Sequence, residues 1–261
     1  MGKIIHRDAE SSANIFDHRS LDRDYATLSP VLSPGLRVLD VGCGTGAISK
    51  DIAQRVGPAG YVLGIDNTEA FITSGQHAYG HVSNLELVCT DLFQFKPAEQ
   101  FDLVVAARVI QWITDIRAAM VVLRSFLKPG GTLSILDYNH EALEWQPDPP
   151  ESMRKFYRAF LTWRSSAGMD NRVAENLPDY FKEAGFQTVE TYNADEVYRR
   201  GQADFVDRIS IWIKVAGLKQ IVDEGFLEEV ERTTAVADYE EWIRTSAVSM
   251  TMRLKEVRSR R

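Results

Sequence analysis

Asp40 lies within the short apolar run Val38-Leu39-Asp40-Val41, and three glycines follow at alternate positions, Gly42, Gly44 and Gly46, with Cys43 between the first two. Glycine carries no Cβ, so a turn built from these positions bends sharply and lets a ligand approach the backbone to contact distance. A helical pattern beginning at Ala47 points its N-terminus at the same spot. Gly42, Gly44 and Ala47 also satisfy the G-x-G-x-x-G/A fingerprint of dinucleotide binding, with Asp66 about 20 residues further on as that fingerprint asks. Asp40 begins to separate the two readings, and neighbouring motifs must do the rest. A carboxylate at the mouth of the turn sits badly beside a pyrophosphate and suits a ligand with an ammonium or sulfonium group.

Further polar residues recur where apolar runs end. Asp66 closes Val62-Leu63-Gly64-Ile65-Asp66 and is followed by Asn67 and Thr68, and Asp91-Leu92 follows Cys89-Thr90. Arg108, then Ile110-Gln111-Trp112, follows Phe101 to Ala107, and Asn139-His140 follows Asp137-Tyr138. Plainer roles stand beside these: helix N-caps or loop acids for Asp66 and Asp91, an ion pair with Asp102 or Asp115 for Arg108. His140 can remove a proton from a substrate or serve as an ordinary hydrogen-bonding or surface residue.

The elements that must position these groups alternate between two periods. Strand-like runs at Val38 to Val41, Tyr61 to Ile65, Leu85 to Val88, Leu103 to Ala106 and Leu133 to Leu136 are separated by helical patterns at Ala47 to Val56, Thr68 to Tyr79 and Asp115 to Leu127. Lys128-Pro129-Gly130-Gly131 reads as the stop of the last of these helices. Five strands with crossover helices imply a doubly wound, mostly parallel α/β sheet. A Pro-rich loop at Trp145 to Pro150 precedes an amphipathic helix near Ser152 to Ser165, a helix over Pro178 to Ala184 ends at Gly185, and Phe186 to Tyr192 reads as a sixth strand.

Asp204 to Arg244 is helical in pattern and fits a lid. The tail alternates Val248, Met250, Met252 and Leu254 with polar residues, which is the two-residue repeat of a seventh strand. The first residues, with Phe16, Leu21, Tyr25 and Leu28, read as a helical extension. The chain is therefore expected to be a single domain over 1–261, with an extension at 1–32, an insertion at 138–172 after strand five, and a helical insertion at 200–245. Tyr25, Trp145, Trp163, Arg164 and Trp212 lie on these added segments, where they can line an acceptor pocket or simply pack.

Composition limits the classes. The 261 residues are 44% hydrophobic and 10% aromatic, enough for a full core, and a net charge of -7 opposes attraction to nucleic acid. The only dense basic cluster is Arg258, Arg260 and Arg261. Two cysteines, Cys43 and Cys89, make neither a disulfide framework nor a metal cluster, so no metal site is expected and a reducing compartment is. With no signal-peptide core and no long apolar run, the expectation is a cytoplasmic protein without a membrane span.

A glycine turn after strand one, an acid after strand two, Asp-Leu after strand three and Pro-Gly-Gly before strand five together resemble class I S-adenosylmethionine-dependent methyltransferases, of the small-molecule type. The resemblance covers Ser33 to Asp137 strongly and the rest weakly. It implies a seven-stranded sheet with an antiparallel last strand, and S-adenosylmethionine as cofactor. Asp40, Gly42, Cys43, Gly44 and Gly46 would meet its methionine part, Asp66 with Asn67 and Thr68 its ribose, Asp91 and Leu92 its adenine. Ala107 and Arg108 would border the methionine arm, and Arg108, Gln111, Trp112 and Asn139 would face the acceptor, with His140 as the candidate base.

Two departures matter: Gln111-Trp112 stands where that branch often has a His pair, and no Asn-Pro-Pro-Tyr-like element follows strand four. The reaction expected is methyl transfer by in-line displacement to a small molecule. An NAD-dependent oxidoreductase and a non-catalytic cofactor-binding regulator are the alternatives.

Overall fold

The computed structural model describes residues 19–217 and 219–261. In chain order these form α1 (Leu21–Asp24), a 3-10 helix (Ala26–Val31), β1 (Arg37–Val41), α2 (Ala47–Val56), β2 (Tyr61–Asp66), α3 (Glu69–Tyr79), β3 (Leu85–Cys89) and β4 (Phe101–Ala107). A 3-10 turn (Ile110–Trp112), α4 (Ile116–Ser125), β5 (Leu127–Gln146), α5 (Glu151–Ser166), α6 (Val173–Glu183), β6 (Val189–Asn193) and β7 (Glu196–Arg199) follow. The last elements are α7 (Phe205–Ile209), α8 (Ile211–Ala216), α9 (Gln220–Asp223), α10 (Glu229–Thr245) and β8 (Ser249–Arg260).

The strands make one 8-stranded sheet in the order β3-β2-β1-β4-β5-β8-β6, with β7 also paired to β8. β1 to β5 pair in parallel, and β6 and β7 run antiparallel to β8. Register brings Asp40 opposite Gly64 and Val105, and Asp66 opposite Cys89, so the carboxyl ends of β1 to β4 line up along one edge.

The chain divides into two compact units. Among the described residues, the larger comprises 19–137, Val173–Ala194 and Lys255–Arg261. Its core is a continuous apolar cluster in which Leu39, Val41, Leu63 and Ile65 from the first two strands join Val104, Ile135, Met120, Leu123, Leu177 and Phe181. α4 is stopped from fraying at its start by Asp115, whose side chain accepts from Ala118 N at 2.9 Å.

Among the described residues, the smaller unit comprises Tyr138–Arg172 and Asp195–Leu254. Here α5 and α10 run against each other, joined by a Lys155–Glu231 ion pair and by Ser152 Oγ donating to Asp238 at 2.6 Å. α10 opens with a reciprocal cap between Glu228 and Glu231.

Four features depart from the sequence expectations. β5 is 20 residues long instead of a short run at Leu133 to Leu136. Lys128-Pro129-Gly130-Gly131 opens that strand instead of merely stopping a helix, with a register shift opposite Phe101 to Leu103. At Gly131 a Cβ would lie 3.0 Å from the Phe101 carbonyl, so a larger residue there would push the two backbones apart by a few tenths of an ångström. Tyr138 to Gln146 continues the same strand, which puts Asn139 and His140 within it and not after it.

β7 makes the strand count eight; at four residues, with Glu196 and Arg199 at its ends, it leaves little alternation to read. α6 begins at Val173, ahead of Pro178, because burial of Val173, Ala174, Leu177 and Phe181 on one face outweighs the donor lost at proline. The pattern from Asp204 to Arg244 breaks into four helices, and Gly225 between α9 and α10 has φ +77°.

The expected N-terminal extension is described only from Arg19, where α1 and the 3-10 helix containing Pro30 form; Phe16 lies outside the described residues. Among the described residues no helix is long and apolar enough to cross a membrane.

Candidate functional site

In the larger unit, the turn after β1 is left-handed at each of its glycines, with φ +67° at Gly42, +59° at Gly44 and +82° at Gly46. Space requires glycine as well: a Cβ at Gly42 would lie 2.4 Å from Val109, and one at Gly46 2.9 Å from Leu87. Gly42 N and Cys43 N both donate to the Ile65 carbonyl, at 2.7 and 3.0 Å, which ties the turn to the end of β2. α2 then starts at Ala47, with Gly46 as its N-cap.

Asp40 is buried beside this turn and accepts from Ser49 Oγ at 2.6 Å. Burial, and secondarily the Asp66 charge, push its carboxyl up to about 7, against the lowering effect of Ser49. The acid is thus poised between its two protonation states at neutral pH. A pocket at the turn is lined by Arg19, Asp40, Gly42, Cys43, Gly44, Ala47, Ile48 and Ala107.

Asp66 organises the next strand end. Its Oδ2 accepts from Gly44 N at 3.0 Å and its Oδ1 from Thr68 N at 2.9 Å, so one carboxylate joins the glycine turn to the start of α3. Asn67 is exposed and Thr68 half-buried. Thr90 N donates to the Asp66 carbonyl at 2.9 Å, and Asp91 forms a local turn by accepting from Phe93 N at 2.8 Å. Leu92 is buried and Phe93 exposed. The structure therefore brings Asp40, Gly42 to Gly46, Asp66 to Thr68, and Asp91 with Leu92 to one edge of the sheet, where folds of this topology bind ligands.

Ala107 ends β4 on the pocket wall. Arg108 is the one non-glycine residue with positive φ among the described residues, +62°, and is buried. Its backbone N donates to the Leu136 carbonyl at 2.7 Å and its Nη2 to the Asp24 carbonyl at 2.8 Å. Asp102, a sequence candidate for its ion-pair partner, instead takes Lys128 at 2.8 Å, and Asp115 caps α4. Gln111 is buried, with its N on Asp137 Oδ2 at 3.0 Å and its Nε2 on the Arg108 carbonyl at 3.1 Å. Trp112 is half-buried. Tyr25 is buried, its hydroxyl 2.8 Å from Ser134 Oγ, and burial followed by the Glu256 charge raises its pKa well above the usual value.

The remaining candidates belong to the smaller unit. His140 is buried against three rings, 5.4 Å from Tyr138, 5.8 Å from Phe160 and 6.3 Å from Trp212. Burial first, then the nearby Arg164 charge, lower its pKa well below the usual histidine range, so the imidazole is neutral at pH 7. Trp145 donates to Tyr239 Oη at 3.0 Å, Trp163 to Glu224 at 3.1 Å, and Trp212 packs edge-on to Tyr157 at 4.8 Å. Arg164 is fully buried, donating to Asn171 Oδ1 at 2.8 Å, and Asn139 Oδ1 accepts from Glu141 N at 3.1 Å.

Sequence reasoning missed Ser49 and Arg19. Ser49 had a usable signal, a hydroxyl in the first turn of the helix that follows the glycines. Arg19 had none, since its segment carries no motif. No cluster of potential metal ligands occurs among the described residues.

A family profile described as "Methyltransferase domain" matches residues 32–191. Among curated proteins, a ubiquinone/menaquinone biosynthesis C-methyltransferase of Cupriavidus metallidurans is 31% identical over 150 residues, covering 56% of this chain and 58% of that protein. Trans-aconitate 2-methyltransferase of Variovorax paradoxus is 26% identical over 213 residues, 77% of this chain and 78% of that protein. The alignments with the first curated relatives span 58% and 41% of those proteins' lengths.

A solved structure of phosphoethanolamine N-methyltransferase 2 from Haemonchus contortus matches with a TM-score of 0.58 at 16% identity, over 92% of this chain and 52% of that one, and so shares the fold. The profile match takes in the glycine turn, both strand-end acids and more than half of the sequence, and on that ground the chain belongs to the methyltransferase domain family.

Proposed function

We propose that this protein transfers a methyl group from S-adenosylmethionine to a small-molecule acceptor. The observation that carries the reading is Asp40, a buried carboxylate on the wall of the glycine-turn pocket, where an ammonium group gains a charged partner and a pyrophosphate would meet repulsion.

The residues present fit the cofactor. Asp40 and Arg19, of opposite charge, both line the pocket, and the Asp40 carboxylate suits the ammonium of a methionine. Asp66 uses one lone pair on each oxygen for a backbone donor, and each oxygen has a second lone pair for a ribose hydroxyl. We assign Asp91 and Leu92 to the adenine and Cys43 and Ala107 to the methionine arm. When bound, S-adenosylmethionine supplies a sulfonium methyl open to in-line attack by the acceptor, with S-adenosylhomocysteine as the leaving group.

The chain's own contribution is to orient the partners and exclude water. Held neutral by burial, His140 is a weak proton acceptor near pH 7. We assign Gln111, buried, and Trp112, half-buried, both just beyond β4 and its pocket residue Ala107, to the acceptor.

A small acceptor is supported by the names of the relatives, which act in quinone biosynthesis and on trans-aconitate, and by the net charge of -7, which disfavours nucleic acid. Free thiols at Cys43 and Cys89 suit the cytoplasm. We read residues 1–261 as one methyltransferase domain carrying added segments at 1–32, 138–172 and 200–245.

Calorimetric titration with S-adenosylhomocysteine and with NAD, followed by transfer of labelled methyl to a panel of small acceptors, tests the proposal. Binding of S-adenosylhomocysteine with turnover of at least one acceptor is expected. Binding of NAD alone would establish the oxidoreductase alternative, and cofactor binding without transfer to any acceptor would point to a regulator.

A further inference from the structure

Among the described residues, five bonds tie the segment from Arg19 to Val31 to the rest of the larger unit. Leu21 N donates to Asp51 at 2.9 Å, Arg55 pairs with Asp22 at 2.5 Å, and Arg258 Nη2 donates to the Thr27 carbonyl at 2.7 Å. Tyr25 bonds Ser134 at 2.8 Å, and Arg108 Nη2 donates to the Asp24 carbonyl at 2.8 Å. The Arg108 contact differs from the other four. Its neighbour Ala107 lines the pocket, and so does Arg19 at the start of the held segment. A ligand in that pocket therefore touches both sides of the link that Arg108 makes.

Arg108 also carries the backbone strain of the region. A residue with a Cβ at φ +62° costs about 1 kcal/mol or more, and such strain persists only where the surroundings impose it. Here they do: the Arg108 N–H is fixed on Leu136 and its carbonyl on Gln111 Nε2, whose own backbone N is fixed on Asp137. Next to it, Val109 presses on Gly42 so closely that no Cβ could be added there. The loop after β4 is thereby wedged between the glycine turn and the N-terminal segment. Its left-handed residue is the one whose side chain reaches that segment.

We infer that Arg108 is a positioning residue that fastens the Arg19–Val31 segment beside the glycine-turn pocket and so sets how long a bound cofactor stays. The inference rests on the cofactor reading above for its second half, and on the geometry alone for its first. It also gives Arg108, expected to face the acceptor, a second role: its guanidinium holds the protein's own backbone.

The test compares Arg108→Met, which keeps length and apolar volume but removes the donors, with Arg108→Lys, which restores a single charged donor. Asp22→Asn, which breaks an exposed ion pair on the same segment, is the control. Two quantities are read on the full chain: the rate of trypsin cleavage after Arg19 and Arg23, and the dissociation rate of S-adenosylhomocysteine by stopped flow.

Loss of a charge-assisted hydrogen bond predicts about tenfold faster cleavage and about tenfold faster dissociation in Arg108→Met, partial recovery in Arg108→Lys, and less than twofold change in Asp22→Asn. Unchanged cleavage and dissociation in Arg108→Met, or an equal effect in Asp22→Asn, would overturn the inference. If Arg108→Met does not fold, Arg108→Lys decides it, with threefold faster cleavage expected and wild-type cleavage overturning it. If the wild-type protein binds no S-adenosylhomocysteine, the proposed function fails, and cleavage alone then decides whether Arg108 fastens the segment.

Discussion

Two buried ionisable groups, Asp40 in the larger unit and His140 in the smaller, respond to burial in opposite ways and with different consequences. Burial lifts Asp40 to about 7 and leaves it on a pocket wall, with Ser49 as the neighbour that favours its charged form. Burial pushes His140 down, and Tyr138, Phe160 and Trp212 surround it with rings. The same desolvation keeps both groups neutral more readily than water would. At Asp40 the proposed cationic ligand would reverse the effect, whereas at His140 the neutral form is the resting state of a packed aromatic core. A buried titratable group that borders open space is thus open to a ligand, and one enclosed by rings is held by packing.

The comparison breaks first at Asp40. Its folded pKa near 7 lies above the value of about 3.9 expected for an unfolded chain, so the folded state binds the extra proton between those limits. Stability of the ligand-free protein therefore falls as pH rises from about 4 to about 7 and is level above that. Asp40→Asn is expected to stabilise the ligand-free protein by up to about 4 kcal/mol at pH 8 and hardly at all at pH 4, measured by urea unfolding. Equal gains at both pH values would remove Asp40 from this role. The same substitution should weaken S-adenosylhomocysteine binding, and wild-type affinity should rise as pH passes upward through 7.

Asp66→Ala is the next largest. Loss of hydrogen bonds to two ribose hydroxyls is expected to cost about 1.5 to 3 kcal/mol of cofactor affinity by calorimetry, and unchanged affinity would count against the ribose assignment.

On the other side of the comparison, Tyr157→Phe removes the hydroxyl that donates to the His140 carbonyl. A buried carbonyl then loses a donor, for an expected loss of about 1 to 3 kcal/mol in unfolding free energy, with the dissociation constant for S-adenosylhomocysteine unchanged. The smallest effect is assigned to His140→Phe. An aromatic ring replaces an aromatic ring, and the backbone bond from His140 N to the Asn171 carbonyl survives. Turnover is expected to stay within about threefold of wild type, against the 100-fold or larger loss that removing a general base produces. A large fall in kcat would restore His140 as the base.

Legibility followed locality. α2 runs from Ala47 to Val56 as its pattern predicts, and β1, β2 and β3 end within one residue of their apolar runs, because periodicity and glycine spacing are properties of adjacent residues. β5 was read as four residues although it spans 20, since Pro129, Gly130 and Gly131 carry a stop signal that pairing with β4 overrides. In the site, the acids at the strand ends were visible by position. The partners that define their chemistry were not: Ser49 on Asp40, and the Gly44 and Thr68 amides on Asp66.

By itself the sequence determined the glycine turn, the strand-end acids and the doubly wound order of elements, because each is demanded by backbone conformation or by a repeat within a few residues. Only the tertiary structure decided that Asp40 is shielded enough to titrate near 7, that His140 is enclosed by rings, and that Arg108 reaches Asp24, 84 residues before it in the chain. Those outcomes depend on which distant groups exclude water or meet a donor. Packing sets that, and no local pattern encodes it.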